Sequence, residues 1–335
     1  MLTHTPHVLA ERAAQIPLYL HAYAFHLNMR YERLLPNDLL DIAHQQDLRG
    51  VKIHVEDGES QSLRTFSDDA FAQFKAKAAA YQLDIHIETS ASDPATLDEA
   101  MRIAHATGAT SVRFYPRYEG HLSTVLAKIQ QDLAYLRQFD DCGLTFTIEQ
   151  HEDLKGHELV TLVENSGMKN LSILFDFGNM INANEQPLDA LAVMAPHITQ
   201  VHIKDAKCLK EGKGWGHEAC RTGQGDLPLK AMLTALLQLG DTKAQVMAFG
   251  LEEEVDYYAP AFRFDDEGDD PWIPWRDASF TPLPSDEARD ARLALEQQHA
   301  LEQIAFIRRL CQEIHDEHIA LAQQATHTAQ AMTTT

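Results

Sequence analysis

Three short apolar runs between Leu144 and Asp205 constrain this chain most. Leu-Thr-Phe-Thr-Ile-Glu ends at Glu149, Leu-Ser-Ile-Leu-Phe-Asp ends at Asp176, and Gln-Val-His-Ile-Lys-Asp carries His202. Each has the length of a strand, and the intervening segments 155–166 and 188–198 are helix-like. Glu149 and Asp176 stand 27 residues apart, Asp176 and His202 26, about the length of one strand–helix unit. A fourth run, from Ala244 to Leu251, leads into Glu252-Glu253-Glu254. As parallel neighbours in a closed barrel, the four strands would turn all four ends toward one mouth. Carboxylates and an imidazole converging there would make a metal site.

The same alternation extends along the chain. A first strand is predicted over Ile16–Leu27, and others begin at Gly50, Asp84 and Ser111. Pro36, Ser67 and Asp93-Pro94 open helices, and Gly108 closes the one that ends near Thr107. A helix is expected over 122–139, a Gly/Lys-rich loop over 206–226, a helix from Pro228 to about Leu239, and a last helix from Asp286 to about His318. Eight strands and eight helices make one α/β domain, a single (β/α)8 TIM barrel over residues 1–323. An irregular insertion at about 256–284 follows strand eight, a long helix closes the chain, and the Thr/Ala/Gln-rich residues 324–335 are expected to be a disordered tail. Within strands, Thr147, Glu149 and His151 share one face, as do His202 with Lys204 and Glu252 with Glu254. Polar groups facing a barrel axis are costly unless paired, and near the C-terminal rim they serve the active site.

Charge excludes several classes. Fifty acidic against 28 basic residues leave a net charge of −22, which repels nucleic-acid phosphates and anionic membranes. The four cysteines form no CxxC pair and predict free thiols, hence a cytoplasmic protein. No run approaches the roughly 18 apolar residues of a membrane helix. The insertion holds Tyr257, Tyr258, Phe262, Trp272 and Trp275, so it is expected to cover the mouth or to form a subunit contact in a homo-oligomer.

The segments Thr-Ile-Glu149-Gln-His, Phe-Asp176-Phe-Gly-Asn179, Val-His202-Ile-Lys-Asp205 and Gly-Leu-Glu252-Glu-Glu resemble the xylose-isomerase-like TIM barrels. That family holds sugar isomerases, ketose epimerases, inosose dehydratases, sugar-acid decarboxylases and endonuclease IV. The resemblance implies that Glu149, Asp176, His202 and one glutamate of 252–254 are metal ligands. Glu252 matches the family position best. Three carboxylates and an imidazole suit Mn2+ or Mg2+, with Co2+ and Zn2+ as further candidates. The implied activity is isomerisation or epimerisation of a small keto-sugar through a metal-stabilised ene-diolate, with Glu149 and Glu252 as the proton carriers. The alternative is a lyase: decarboxylation of a 3-oxo sugar acid, or dehydration of a keto-inositol. An arginine for the substrate carboxylate (Arg113, Arg221 or Arg263) would favour decarboxylation. Endonuclease chemistry needs more histidines and a basic groove, against the charge of −22.

Candidate substrate contacts at the strand ends are His151, Asn179, Lys204, Glu88 and Arg113. Arg221 joins them because a guanidinium can grip a carboxylate or a hydroxyl pair in two-pronged fashion. His54 and Glu56 are weaker rim candidates, and His21 and His26 are expected to be paired barrel residues. The chain departs from many ketose epimerases in having Asn179 where they carry histidine, in its longer loop after His202, and in the insertion.

Overall fold

Strict alternation along the strands closes the sheet. The computed structural model describes residues 4–275 and 284–333, with side chains through 327. In it, β1 (Leu18–His21), β2 (Gly50–His54), β3 (Asp84–Thr89), β4 (Ser111–Phe114), β5 (Thr145–Glu149), β6 (Leu171–Asp176), β7 (Ile198–Ile203) and β8 (Ala248–Leu251) form a closed parallel barrel. β8 returns to pair with β1. One face of each strand is apolar: Val51, Ile53, Ile87, Val112, Phe114, Phe146, Ile148, Phe175, Val201 and Phe249 are buried in the main core. By alternation these side chains face the surrounding helices. The other set faces the axis and is polar, with Lys52, Glu88, Arg113, Thr147, Gln200 and His202 all buried. Barrel interiors are ordinarily filled with Val, Ile and Leu, so a polar interior needs a reason.

Helices Pro36–Gln45, Asp68–Tyr81, Pro94–Thr107, Leu122–Leu136, Gly156–Ser166, Pro187–Met194 and Leu229–Leu237 alternate with the strands. Their ends follow local chemistry: Asp93 Oδ1 accepts from the backbone N–H groups of Ala95 and Thr96, and Gly108 ends that helix at φ +75°. Two details of the sheet set the site. A register shift between Ile173 and Leu174 brings Asp176 opposite His202. At position 250, a Cβ would meet Lys52 Cδ at 2.7 Å and His202 Cδ2 at 3.1 Å, so glycine there makes room for the buried lysine stem.

Three elements differ from the sequence expectation. The first strand stops at His21 rather than Leu27, because His21 Nδ1 accepts from the Tyr23 N–H at 3.0 Å and starts a helical turn, Ala22–Phe25. The expected loop 206–226 holds an antiparallel hairpin, Asp205–Glu211 with Gly214–Cys220. Its glycines suggested a loop, but Gly212 only supplies the left-handed turn, at φ +59°. The closing helix runs Arg289–Thr333, so residues expected to form a disordered tail from 324 are helical to 333.

Within the insertion, residues 256–275 form a strap over the C-terminal face; 276–283 lie outside the described residues. Tyr258–Ala259 adds a strand to the hairpin, and Trp272–Ile273 pairs with Gly120–His121. Arg263 anchors the strap, binding Glu158 at 2.8 and 2.9 Å and Glu267 at 2.9 Å through both prongs. All three side chains are nearly buried. Arg263→Met is therefore expected to destabilise the protein by about 3–5 kcal/mol, the usual cost of stranding a buried charge. Urea unfolding checks this, and an unchanged midpoint would contradict the anchoring.

Candidate functional site

The ends of β5, β6 and β7 bring Glu149, Asp176 and His202 together, with one ligand-type atom from each lying within 4.8 Å of the others. Glu252, immediately after β8, joins them: its Oε2 lies 3.7 Å from His202 Nδ1, and Glu149 Oε1 lies 3.7 Å from the same nitrogen. Glu253 and Glu254 turn elsewhere. Glu253 accepts from the Thr222 hydroxyl and N–H, and Glu254 Oε2 is 3.4 Å from Lys204 Nζ.

Hydrogen bonding leaves these four residues incomplete in the same way. His202 Nδ1, Glu149 Oε2, Asp176 Oδ2 and Glu252 Oε2 are buried and make no hydrogen bond, their nearest cations being Arg113 Nε, 3.0 Å from Glu149 Oε2, and Lys204 Nζ, 3.3 Å from Asp176 Oδ2 and 3.6 Å from Glu252 Oε2. Buried polar atoms are rarely left so. Asp176 and His202 have their other atoms committed. Asp176 Oδ1 accepts from the N–H groups of Gly178 and Asn179 at 2.8 and 2.9 Å, and His202 Nε2 is held by Glu88 Oε1 at 3.1 Å. Because Glu88 can only accept, Nε2 carries a hydrogen, and Nδ1, which faces Glu149 and Glu252, is the nitrogen that would give up its proton to hold a metal.

The electrostatics agree. The ion pairs linked to His202 join five buried carboxylates (Glu88, Glu149, Asp176, Glu252, Glu254) to Lys52, Arg113 and Lys204, so carboxylates outnumber the lysine and arginine cations that face them. Burial alone would depress His202, yet Glu88, Glu252 and Glu149 bring it up to about 9. Burial, aided by Glu252 and Glu149, pushes Asp176 up to about 7 despite Lys204. Glu149 goes the other way: burial would raise it, but Arg113, whose Nε is 3.0 Å from Oε2, and His202 hold it well below the usual carboxylate range. Four donor atoms without a hydrogen bond, three of them carboxylate oxygens, in a cluster rich in buried carboxylates fit a divalent cation.

A cavity of about 570 Å³ opens above the cluster, a size suited to a small molecule. Glu149, Glu252, His151, Asn179, Lys204 and Arg113 line it. His54 and Glu56 line it too, and so do His21 and His26. Two candidates lie elsewhere. Glu88 is fully buried beneath the cavity, among His21, Lys52, Arg113 and His202. Arg221 pairs with Glu302 of the closing helix. Thus the three arginines offered for a substrate carboxylate already face protein carboxylates: Arg113 with Glu88 and Glu149, Arg221 with Glu302, Arg263 with Glu158 and Glu267.

Sequence reasoning passed over several residues here. Lys52, wholly buried, donates to Gln200 Oε1 at 2.6 Å and sits 3.4 Å from Glu88. A lysine between Val51 and Ile53, in step with His54, was a readable sign of an inward-facing cation. Tyr257, by contrast, belongs to the insertion expected to cover the mouth or form a subunit contact; it lines the cavity and donates to Glu152 at 2.8 Å. His217, on the hairpin, is buried with Nδ1 2.6 Å from Asn182 Oδ1; it could not be placed while the hairpin was taken as a loop.

The chain is 63% identical over 310 residues, 92% of its length and 95% of the other's, to "Uncharacterized protein YihM" of Escherichia coli (strain K12). It is 28% identical over 164 residues to the 3-oxo-isoapionate decarboxylase of Pectobacterium atrosepticum, covering 47% of this chain and 59% of that protein. Among solved structures, D-psicose 3-epimerase in the presence of D-fructose superposes with TM-score 0.58 at 12% identity, covering 88% of this chain and 99% of that one. The IolI protein with a bound zinc atom gives TM-score 0.58 at 14% identity, covering 88% and 98%. At such identities these two structures establish the shared fold alone. The profile described as "Xylose isomerase-like TIM barrel" matches residues 40–256, nearly two thirds of the chain. The chain belongs to the xylose isomerase-like TIM barrel family.

Proposed function

We propose that the protein is a divalent-metal-dependent isomerase or epimerase of a small keto-sugar or keto-sugar acid. The observation that carries this reading is the set of four buried atoms without a hydrogen bond on Glu149, Asp176, His202 and Glu252, gathered at the floor of one cavity. Mn2+ or Mg2+ held by those residues would supply Lewis-acid polarisation of a substrate carbonyl. Glu149 and Glu252 carry the protons: one carboxylate takes the carbon-bound proton and the other returns one. Arg113 keeps Glu149 ionised and so able to accept. Lys204, 3.6 Å from Glu252 and 3.4 Å from Glu254, holds that side of the cavity in place. Asn179 and His151, which line the cavity, orient substrate hydroxyls in this reading. The four free cysteines accord with a cytoplasmic setting. Among the described residues no helix is long and apolar enough to cross a membrane.

The match to a decarboxylase favours a second reading, a lyase that leaves the same enolate-type charge after loss of CO2. A screen of keto-sugars and keto-sugar acids with Mn2+ in D2O separates the two. Solvent deuterium at the epimerised carbon of a mass-balanced product supports the isomerase reading. Release of CO2 or water with a lighter product supports the lyase, and no turnover across the panel would count against both.

A further inference from the structure

Five permanently cationic side chains line the cavity: Arg30, Arg64, Arg113, Arg117 and Lys204. Four face protein carboxylates. Arg30 lies 3.8 Å from Glu59, Arg64 pairs with Glu56 and Glu99, Arg113 with Glu88 and Glu149, and Lys204 with Asp176, Glu252 and Glu254. Arg117 has no carboxylate within ion-pair reach among the described residues, in a chain whose acids outnumber its bases 50 to 28.

Its placement is ordered. The Arg117 guanidinium carbon lies 5.7 Å from the Tyr115 ring centroid, and that of Arg113 lies 5.3 Å from the same ring. His151 stacks on the ring at 4.0 Å with 21° between planes. Arg113 reaches Glu149 directly, so a single aromatic ring spans from the proton-carrying end of the cavity to Arg117. A side recess bounded by Phe262, Pro274 and Trp275 of the strap shares Tyr115, Arg117 and His151 with the cavity. Stacking pre-orients a guanidinium and lowers the entropy it loses when it grips a planar or tetrahedral oxyanion.

We propose that Arg117, steadied by Tyr115 and flanked by His151, binds an oxyanion carried by the substrate, a carboxylate or a phosphate, on the Tyr115 side of the cavity. This deepens the proposed function and rests on it for the position of the reacting carbonyl. The substrate is then an acidic sugar derivative whose charged end selects it from neutral sugars, while its carbonyl end meets Glu149 and Glu252. The arginines considered from the sequence are already neutralised by the protein, which leaves this role to Arg117.

The test is equilibrium binding by calorimetry to the full chain loaded with Mn2+. The probes are inorganic phosphate, D-glucuronate and D-glucose 6-phosphate, with D-glucose as the neutral counterpart. The anionic probes are expected to bind about ten- to hundred-fold tighter than D-glucose, the worth of a charge-assisted hydrogen-bonded pair. Arg117→Leu should erase that preference and Arg117→Lys should restore part of it, with Mn2+ uptake and the urea midpoint unchanged in both. The ratio of glucuronate to glucose 6-phosphate affinity assigns the oxyanion. Equal binding of neutral and anionic probes, no binding of any anion, or a preference that survives Arg117→Leu overturns the proposal. A wild-type chain that takes up no Mn2+ yet prefers anions would sink the metal reading and leave the Arg117 assignment standing.

Discussion

Glu149→Gln and Glu252→Gln are each expected to lower turnover by at least about 10²–10⁴-fold, the usual worth of a positioned general acid or base. Both should still take up Mn2+, more weakly. An amide oxygen can ligate a cation but cannot carry a proton. The two carboxylates lie at the same distance from His202 Nδ1 and both line the cavity, so neither stands as a mere support for the other. Asp176→Ala and His202→Ala should instead lose the metal, since these residues lie below the cavity wall and are absent from its lining. Steady-state rates at saturating Mn2+ decide between chemistries. Equal, severe losses support two-base isomerisation. A large asymmetry points to the lyase, because the carbon that loses CO2 needs no base. Near-wild-type rates in both variants would refute the assignment.

Replacement of Glu88 should produce the largest combined effect on stability and metal binding. Its two oxygens meet His21 at 2.8 Å, His202 at 3.1 Å, Lys52 at 3.4 Å and the Arg113 guanidinium. Glu88→Gln leaves Lys52 and Arg113 short of a buried counter-charge, which costs about 3–5 kcal/mol. It also disturbs His202. A glutamine can offer its NH2 group to Nε2, which moves the hydrogen to Nδ1 and spoils the lone pair facing Glu149 and Glu252. Loss of such an orienting carboxylate lowers metal affinity by about 10–100-fold. Urea unfolding and a Mn2+ titration on the same variant measure both. A stable variant with undiminished affinity would show that Glu88 orients nothing.

The barrel was readable because two signals coincided. Apolar alternation located the strand ends, and the spacing of Glu149, Asp176 and His202 put them on successive strands, where the closed sheet brings them side by side. Glu252, Glu253 and Glu254 could not be ranked from the residues alone, because alternation permits both 252 and 254 to face inward. In the fold Glu252 turns to His202 while Glu254 stays with Lys204. What the sequence hid was partnership across the barrel. Glu88 looked like a rim residue and lies under the floor, claimed by groups from β1, β2, β4 and β7. Arg221 looked free until the closing helix brought up Glu302. The hairpin of 205–220 was masked by its turn glycines, and the aromatics of the strap pointed to the mouth or a subunit contact without showing its anchor, Arg263 on Glu158, 105 residues earlier.

Titration of metal-stripped protein with Mn2+, followed by the electron paramagnetic resonance signal of the free ion, tests the central claim most directly. One tightly bound Mn2+ per chain is expected in the wild type and none in Asp176→Ala or His202→Ala, each variant remaining folded. Absence of stoichiometric uptake by the wild type, or full uptake by both variants, would contradict it.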